Sequence, residues 1–161
     1  MNNFLYFIYL GFFLSHIPIT LFVDSQAVLP ASWFPSVCRK MMAWYFETHR
    51  DPLMMHLPVW FKTLVYSEIY LQLPFFFVAT YAFVGKKNWI RIPAIFYGAF
   101  VTSTMLPILA ELAVHTGPGY RPAIVTSFYA PYLLVPLCLA LHMMVTPQPF
   151  GSSRSSKSKR H

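Results

Sequence analysis

Two carboxylic acids lie within or at the end of long apolar runs of this 161-residue chain. Glu68 is the only charge-capable side chain between residues 63 and 84, and Asp24 ends the apolar run that begins at residue 4. A charged side chain inside a bilayer is costly, and by default it indicates a functional site. Gln72 follows Glu68 by one helical turn, which puts a second polar side chain on the same helix face.

The chemistry open to such an acid pair depends on its protonation. Two carboxyl groups that meet in a low-dielectric site cannot both ionise cheaply, so one keeps a proton and hydrogen-bonds the other. Glu68 is the deeper of the two, and we expect it to be the neutral partner of an Asp24 anion. An anion in an aromatic-lined cavity would bind an amine on an apolar scaffold, whereas a neutral acid beside Gln72 would suit a sterol hydroxyl. The same acids could instead only hold helices together.

The elements that must position these groups are four apolar helices. The chain is 57% hydrophobic and 11% charged, whereas a soluble domain carries about 25% charged residues, so the composition indicates an integral membrane protein. The predicted fold is all-α, a four-helix membrane bundle over residues 1–146, with helices at about 4–24, 60–84, 91–114 and 123–145. A disordered basic tail is predicted over residues 147–161.

The direction of each helix sets the depth of its polar side chains. Helices one and three run away from the side of the termini, and helices two and four run back. Six polar residues are therefore expected to share the half of the bundle away from the termini: Asp24, Glu68, Gln72, Glu111, Tyr129 and Tyr132. The positive-inside rule favours both termini in the cytosol, because more Lys and Arg residues lie on that side. The acids would then lie toward the lumen.

A polar and aromatic connection, residues 24–59, joins the first two helices. It predicts short helices at about 35–46 and after Asp51, since Asp followed by Pro is a good helix start. Within helix one, His16, Thr20 and Asp24 recur at every fourth position, so they are expected on one face.

The remaining polar features exclude some classes of function. Cys38 and Cys138 are expected in different environments, so we predict no disulfide, no metal site and no cofactor. Much of the net charge of +7 lies in the tail and at loop ends, which argues against nucleic-acid binding. In that tail, Lys157 and Lys159 have the spacing of a dilysine retrieval signal of endoplasmic-reticulum proteins; the alternative is a basic tail that only anchors topology.

Seven blocks of sequence carry a family resemblance over nearly the whole chain: Phe12–Pro30, Arg50–Leu53, Trp60–Lys62, Ser67–Phe76, Trp89–Gly98, Leu106–Leu109 and Tyr129–Leu137. They resemble the EXPERA family of membrane proteins, in its sigma-2 receptor branch. The resemblance implies a homodimeric four-helix bundle of the endoplasmic-reticulum membrane, with the nuclear envelope and endolysosomal membranes as further locations. It also implies binding of sterols, oxysterols and cationic amphiphilic small molecules, contact with membrane lipid, and regulation of sterol homeostasis through the Niemann–Pick type C cholesterol transporter.

The same resemblance implies roles for particular residues. Asp24 matches the aspartate that pairs with the cationic amine of a ligand, and Glu68 matches the protonated glutamate that hydrogen-bonds that aspartate. Asp51 matches a second aspartate that ligand binding needs, by holding its loop. Five further positions match residues that line or support the ligand cavity: His16, Tyr45, Gln72, Thr104 and Tyr132.

One position departs from the sterol-isomerase branch of the same family. In that branch a histidine lies one turn before the glutamate of helix two, for proton shuttling, and here the position is Leu64. The acid–base pair that a double-bond shift needs is therefore incomplete. The sequence predicts a binding receptor with no catalytic residue, and a sterol Δ8–Δ7 isomerase is the alternative.

Overall fold

The protein is described from a computed structural model that covers residues 1–151. This part of the chain forms seven α-helices: α1 Asn3–Phe22, α2 Ser36–His49, α3 Pro52–His56, α4 Val59–Ser67, α5 Leu73–Val84, α6 Arg91–Val114 and α7 Pro122–Val145. Short 3₁₀ turns at Asp24–Ala27, Ala31–Trp33 and Asn88–Ile90 join some of them.

Within residues 1–151, four stretches are long and apolar enough to cross a membrane: Asn3–Ala27, Val59–Val84, Asn88–Val114 and Pro122–Val145. The predicted all-α, four-helix membrane fold is therefore confirmed. The two short helices predicted in the connection correspond to α2 and α3. The first predicted helix differs at its end, because α1 stops at Phe22 and Asp24 opens a 3₁₀ turn.

The second span is not a uniform helix. A π-helical turn, Glu68–Gln72, joins α4 to α5, and the amide of Leu73 donates to the carbonyl of Glu68. Pro74 contributes to this irregularity, because proline has no amide hydrogen and its ring crowds the carbonyl four residues earlier. In an unbroken α-helix, eight residues turn ~80° past two full turns. The extra residue of the π turn offsets that rotation and helps to keep Leu64, Glu68 and Gln72 along one wall.

The core at the end near the termini is aromatic. Phe13 and Phe83 are fully buried, and the two rings pack edge to face with centroids 5.5 Å apart. Phe13 also contacts Tyr97 of α6, with ring centroids 5.6 Å apart. This packing fixes α1 against α5 and α6 and thereby sets the rotation of the polar face of α1.

Helices α6 and α7 pack closely because Gly98 has no side chain where they meet. A Cβ atom built on Gly98 would lie 2.8 Å from the Cβ of Ala140. We expect Gly98→Ala to destabilise the protein by about 1–3 kcal/mol through overpacking. Gly11→Ala is the matched control, since no atom lies within 4 Å of a Cβ at that position. The thermal midpoint in detergent should fall for Gly98→Ala and rise slightly for Gly11→Ala; a rise in both variants would contradict the packing argument.

The two ends of the described chain meet at one end of the bundle. The amino group of Met1 donates to the carbonyl of Pro149 at 2.8 Å. The Arg91 guanidinium donates to the carbonyls of Met143 and Met144 at the end of α7, where a cation satisfies unpaired carbonyls. The first residues and residues 149–151 therefore lie on one side, as four spans require.

The first residues of the predicted tail are packed against this end. Phe150 contacts the rings of Tyr6 and Phe83, and its amide donates to the Asn88 side chain. Residues 147–151 thus extend the packed part of the chain. The predicted retrieval lysines, Lys157 and Lys159, lie outside the described residues.

Candidate ligand cavity

A cavity of about 350 Å³ lies at the end of the bundle opposite the termini. Its volume falls in the range of small-molecule sites, about 300–1,000 Å³. Side chains of α1, α4, α6 and α7 line it, together with residues of α2 such as Met42 and Trp44. The walls are mostly apolar, so the few polar groups are set in a low-dielectric surrounding.

Seven of the eight side chains predicted for a ligand site line this one cavity: Asp24, Tyr45, Asp51, Glu68, Gln72, Thr104 and Tyr132. They come from the 3₁₀ turn after α1, from α2, from the start of α3, from the π turn, and from α6 and α7. The structure thus brings them together, while their roles toward a ligand stay predictions.

Asp24 and Glu68 are neighbours in the cavity wall, close enough to interact directly. Their surroundings differ. Glu68 accepts a hydrogen bond at Oε1 from the hydroxyl of Thr20, at 2.5 Å, whereas Oδ2 of Asp24 is buried with no hydrogen-bond partner among residues 1–151. A buried oxygen without a donor costs about 1–3 kcal/mol, so a proton shared between the two carboxyl groups would stabilise this arrangement.

Asp51 is a third acid in the cavity wall, and its hydrogen bonds are complete. It is 0% exposed. Its Oδ1 accepts from the amides of Leu53 and Met54 at the start of α3, and its Oδ2 accepts from the hydroxyls of Tyr45 and Tyr129, both at 2.8 Å. Asp51 therefore joins α2, α3 and α7, and it contributes to the cavity mainly by fixing its aromatic wall.

Tyr45 is held as a hydrogen-bond donor by this arrangement. Burial, followed by the charge of Asp51, raises the pKa of the Tyr45 hydroxyl well above its ordinary value. Burial and Asp51 also raise the pKa of Tyr120, whose hydroxyl donates to the carbonyl of Leu112. Both hydroxyls keep their protons through the physiological range, so their hydrogen bonds do not depend on pH there.

His16 is the predicted site residue that does not line the cavity. Its Nδ1 lies 2.6 Å from the carbonyl of Phe12, and its ring packs edge to face on Tyr132 with centroids 4.7 Å apart. His16 is therefore placed behind Tyr132, where it orients that ring. His16 therefore does not line the cavity, and its role as a supporting residue stays a prediction.

Glu111 does not join the other acids. It lies at the predicted end of α6, but its side chain is exposed and is not part of the cavity wall. Thr104 does line the cavity, and its hydroxyl donates to the carbonyl of Val101 in its own helix. Leu64 also lines the cavity, so the position at which the isomerase branch has a histidine carries a hydrocarbon side chain inside the site.

Sequence reasoning missed the roles of two residues. Tyr129 was expected at the right depth, yet only the structure shows its hydrogen bond to Asp51 from 78 positions further along the chain. Thr20 was expected on the face of His16 and Asp24, but its partner, Glu68, lies 48 positions away. The four-residue spacing in helix one was the available signal for Thr20, whereas no local signal could identify the partner of Tyr129.

The fold and the cavity define a class of protein: a small membrane bundle of four spans with an acid pair in an apolar pocket. The model of the family EXPERA (EXPanded EBP superfamily) matches residues 37–143. The chain belongs to this family, which confirms the resemblance drawn from the sequence.

Three relatives illustrate the range of similarity. Sigma intracellular receptor 2 of Homo sapiens is 44% identical over 149 residues, covering 84% of this chain and 85% of the relative. The receptor of the same name from Xenopus tropicalis is 47% identical over 152 residues, covering 88% of each chain. Efficient mitochondria targeting-associated protein 19 of Saccharomyces cerevisiae is 31% identical over 155 residues, covering 81% of this chain and 92% of the relative.

Proposed function

We propose that the protein is an intracellular membrane receptor that binds sterols and cationic amphiphilic amines in the cavity, and so regulates sterol homeostasis and trafficking. The single observation that carries the proposal is the Asp24–Glu68 pair in an apolar cavity of about 350 Å³. Relatives named Sigma intracellular receptor 2, at 44–47% identity over most of the chain, support the receptor assignment.

The geometry supports both kinds of ligand. The ammonium group of an amine would approach the Asp24 carboxyl group, which lines the cavity, and pair with its charge. The hydroxyl of a sterol would reach the same polar cluster, with Gln72 offering both a donor and an acceptor. The apolar walls would take the hydrocarbon part of either ligand.

The test is identification of the lipids that copurify with the protein. Mass spectrometry of the purified chain should find a sterol enriched over the surrounding membrane lipid, and a cationic amphiphilic amine should displace it. A protein that carries only bulk phospholipid, and that binds no such amine, would contradict the proposal.

A sterol Δ8–Δ7 isomerase is the second candidate function, because the two adjacent acids could in principle serve as acid and base. Leu64 in the cavity wall weighs against it, since a leucine cannot shuttle a proton. Expression in isomerase-deficient yeast distinguishes the candidates. We expect no restoration of normal sterols, and restoration would favour the enzyme.

Further parts of the proposal rest on the family resemblance. They are a location in the endoplasmic-reticulum membrane with cytosolic termini, a homodimer, and regulation of the Niemann–Pick type C cholesterol transporter. The excess of Lys and Arg on the side of the termini supports the orientation. Glycosylation-site insertion in the loop after α6 would test it, because that loop should be modified and the loop after α5 should not.

A further inference from the structure

Thr20 distinguishes the two acids of the cavity from each other. Its hydroxyl donates to Oε1 of Glu68 at 2.5 Å, and Thr20 itself is 0% exposed. A hydrogen bond donated to a carboxyl group favours the charged form of that group. Asp24 has an oxygen, Oδ2, that no donor reaches within the described part of the chain. The protein's own hydrogen bonds therefore stabilise a negative charge on Glu68 better than one on Asp24.

The other titratable groups that face Glu68 do not reverse this preference. They are Asp24 itself and the hydroxyls of Tyr97 on α6 and Tyr132 on α7. Among residues 1–151, neither tyrosine donates a hydrogen bond to Glu68, and no Lys or Arg lines the cavity. Among the described residues, Thr20 is thus the neutral donor whose hydrogen bond favours a negative charge on Glu68 over one on Asp24.

We propose that Thr20 holds the shared negative charge on Glu68 when no cation is bound, and that an arriving ammonium moves it to Asp24 by proton transfer within the pair. Before binding, Asp24 carries the proton and hydrogen-bonds the Glu68 carboxylate. The ammonium approaches the Asp24 carboxyl group, which lines the cavity, because Oε1 of Glu68 already has a donor. This proposal rests on the proposed function, in which Asp24 is the anion toward a bound amine.

The transfer is balanced within the pair. The O–H bond of Asp24 breaks, an O–H bond forms on Glu68, and the pair keeps one proton and one negative charge throughout. No proton is exchanged with solvent. Thr20 is a positioning residue here: it acts on the ligand only through Glu68.

The proposal predicts that removing the Thr20 hydroxyl strengthens amine binding. A cation binds best to molecules whose charge is on Asp24. The apparent affinity is therefore the intrinsic affinity multiplied by the fraction of such molecules. Thr20→Val keeps the shape but removes the donor, so more molecules have the charge on Asp24 in advance. We expect Thr20→Val to bind a cationic amphiphilic amine roughly 5- to 10-fold more tightly than the wild type.

Matched variants separate this effect from packing. Thr20→Ser keeps the hydroxyl and should bind the amine within about 2-fold of the wild type. Thr80→Val changes another threonine of a membrane span, whose hydroxyl has no partner among residues 1–151 and lies outside the cavity wall; it should leave affinity unchanged. Unchanged or weaker amine binding by Thr20→Val, with wild-type thermal stability, would overturn the proposal.

Infrared spectroscopy tests the same step without any substitution at Thr20. Asp24 and Asp51 are the only aspartates of the chain, and Asp51 accepts four hydrogen bonds as an anion would. With carbon-13 in the aspartate carboxyl groups, the band of the protonated carboxyl should shift in the unliganded protein. After amine binding it should shift only with labelled glutamate. A band that follows glutamate in both states would overturn the proposal, whereas a wild type that binds no amine would instead contradict the proposed function.

Discussion

Asp24→Asn is expected to weaken the binding of a cationic amphiphilic amine by about 100-fold. Removing one partner of a buried, hydrogen-bonded charge pair costs about 2–5 kcal/mol, and tenfold in affinity is about 1.4 kcal/mol. The side chain keeps its size, so the cavity keeps its shape. The loss therefore reports the charge that Asp24 presents to the ligand.

The measurement is competition for a radiolabelled amine in membranes that contain matched amounts of protein. Glu111→Gln is the control, because Glu111 is exposed and outside the cavity wall; its affinity should stay at the wild-type value. A neutral sterol provides the second control. Its binding to Asp24→Asn should change by much less than that of the amine, since no ion pair is lost.

Retention of amine affinity within a few-fold in Asp24→Asn would remove Asp24 as the proposed anion. Equal loss of amine and sterol binding, with a lowered thermal midpoint, would instead show that Asp24 only holds the helices together. These outcomes separate the receptor function from the structural role that a polar group in a helix bundle often has.

Asp51→Ala is expected to lower the thermal midpoint by about 10 °C. The substitution leaves four donors without their acceptor: the amides of Leu53 and Met54 and the hydroxyls of Tyr45 and Tyr129. Loss of the helix cap costs about 1 kcal/mol, and each buried donor left unpaired adds about 1–3 kcal/mol before relaxation. A net loss of about 3 kcal/mol shifts the midpoint of a chain of this size by roughly 6–12 °C.

Partial variants show how the effect of Asp51 is divided. Tyr45→Phe and Tyr129→Phe each remove one donor and should lower the midpoint much less than Asp51→Ala. Glu47→Gln, at an exposed site of the neighbouring helix α2, is the matched control and should have no effect. Because unfolding in detergent is often irreversible, all variants are compared at one heating rate. A wild-type midpoint in Asp51→Ala would show that the connection is held by other contacts.

Ligand binding should fall in Asp51→Ala together with stability, since α2 lines the cavity and Asp51 joins α2 to α7. The pattern across ligands identifies this role. Amine and sterol should lose affinity to a similar extent, whereas Asp24→Asn affects the amine selectively. Selective loss of the amine in Asp51→Ala would instead assign Asp51 to the recognition of charge.

Much of the fold followed from the hydrophobic pattern alone. The number of spans was predicted from run length, and the short helices of the connection from its prolines and Asp51; the described residues confirm both. The two ends of the described chain, Met1 and Pro149, also lie together. The joint depth of Asp24, Glu68 and Gln72 also followed, because depth needs only the start of a helix, its direction and a rise of ~1.5 Å per residue. The depth of a residue can be found from its own helix, without knowing how the helices pack against each other.

The side-chain partners of these groups required the tertiary structure. Which helix faces Glu68 depends on the rotation of every helix about its axis, and that rotation is fixed by packing such as Phe13 on Phe83 and Gly98 on Ala140. The hydrogen bond from Thr20 to Glu68 and the one from Tyr129 to Asp51 result from this packing. It also places His16 behind Tyr132 and Glu111 at the surface. The sequence by itself determined that an acid pair exists at one depth in the membrane; only the packed bundle decided which neighbours stabilise its charge.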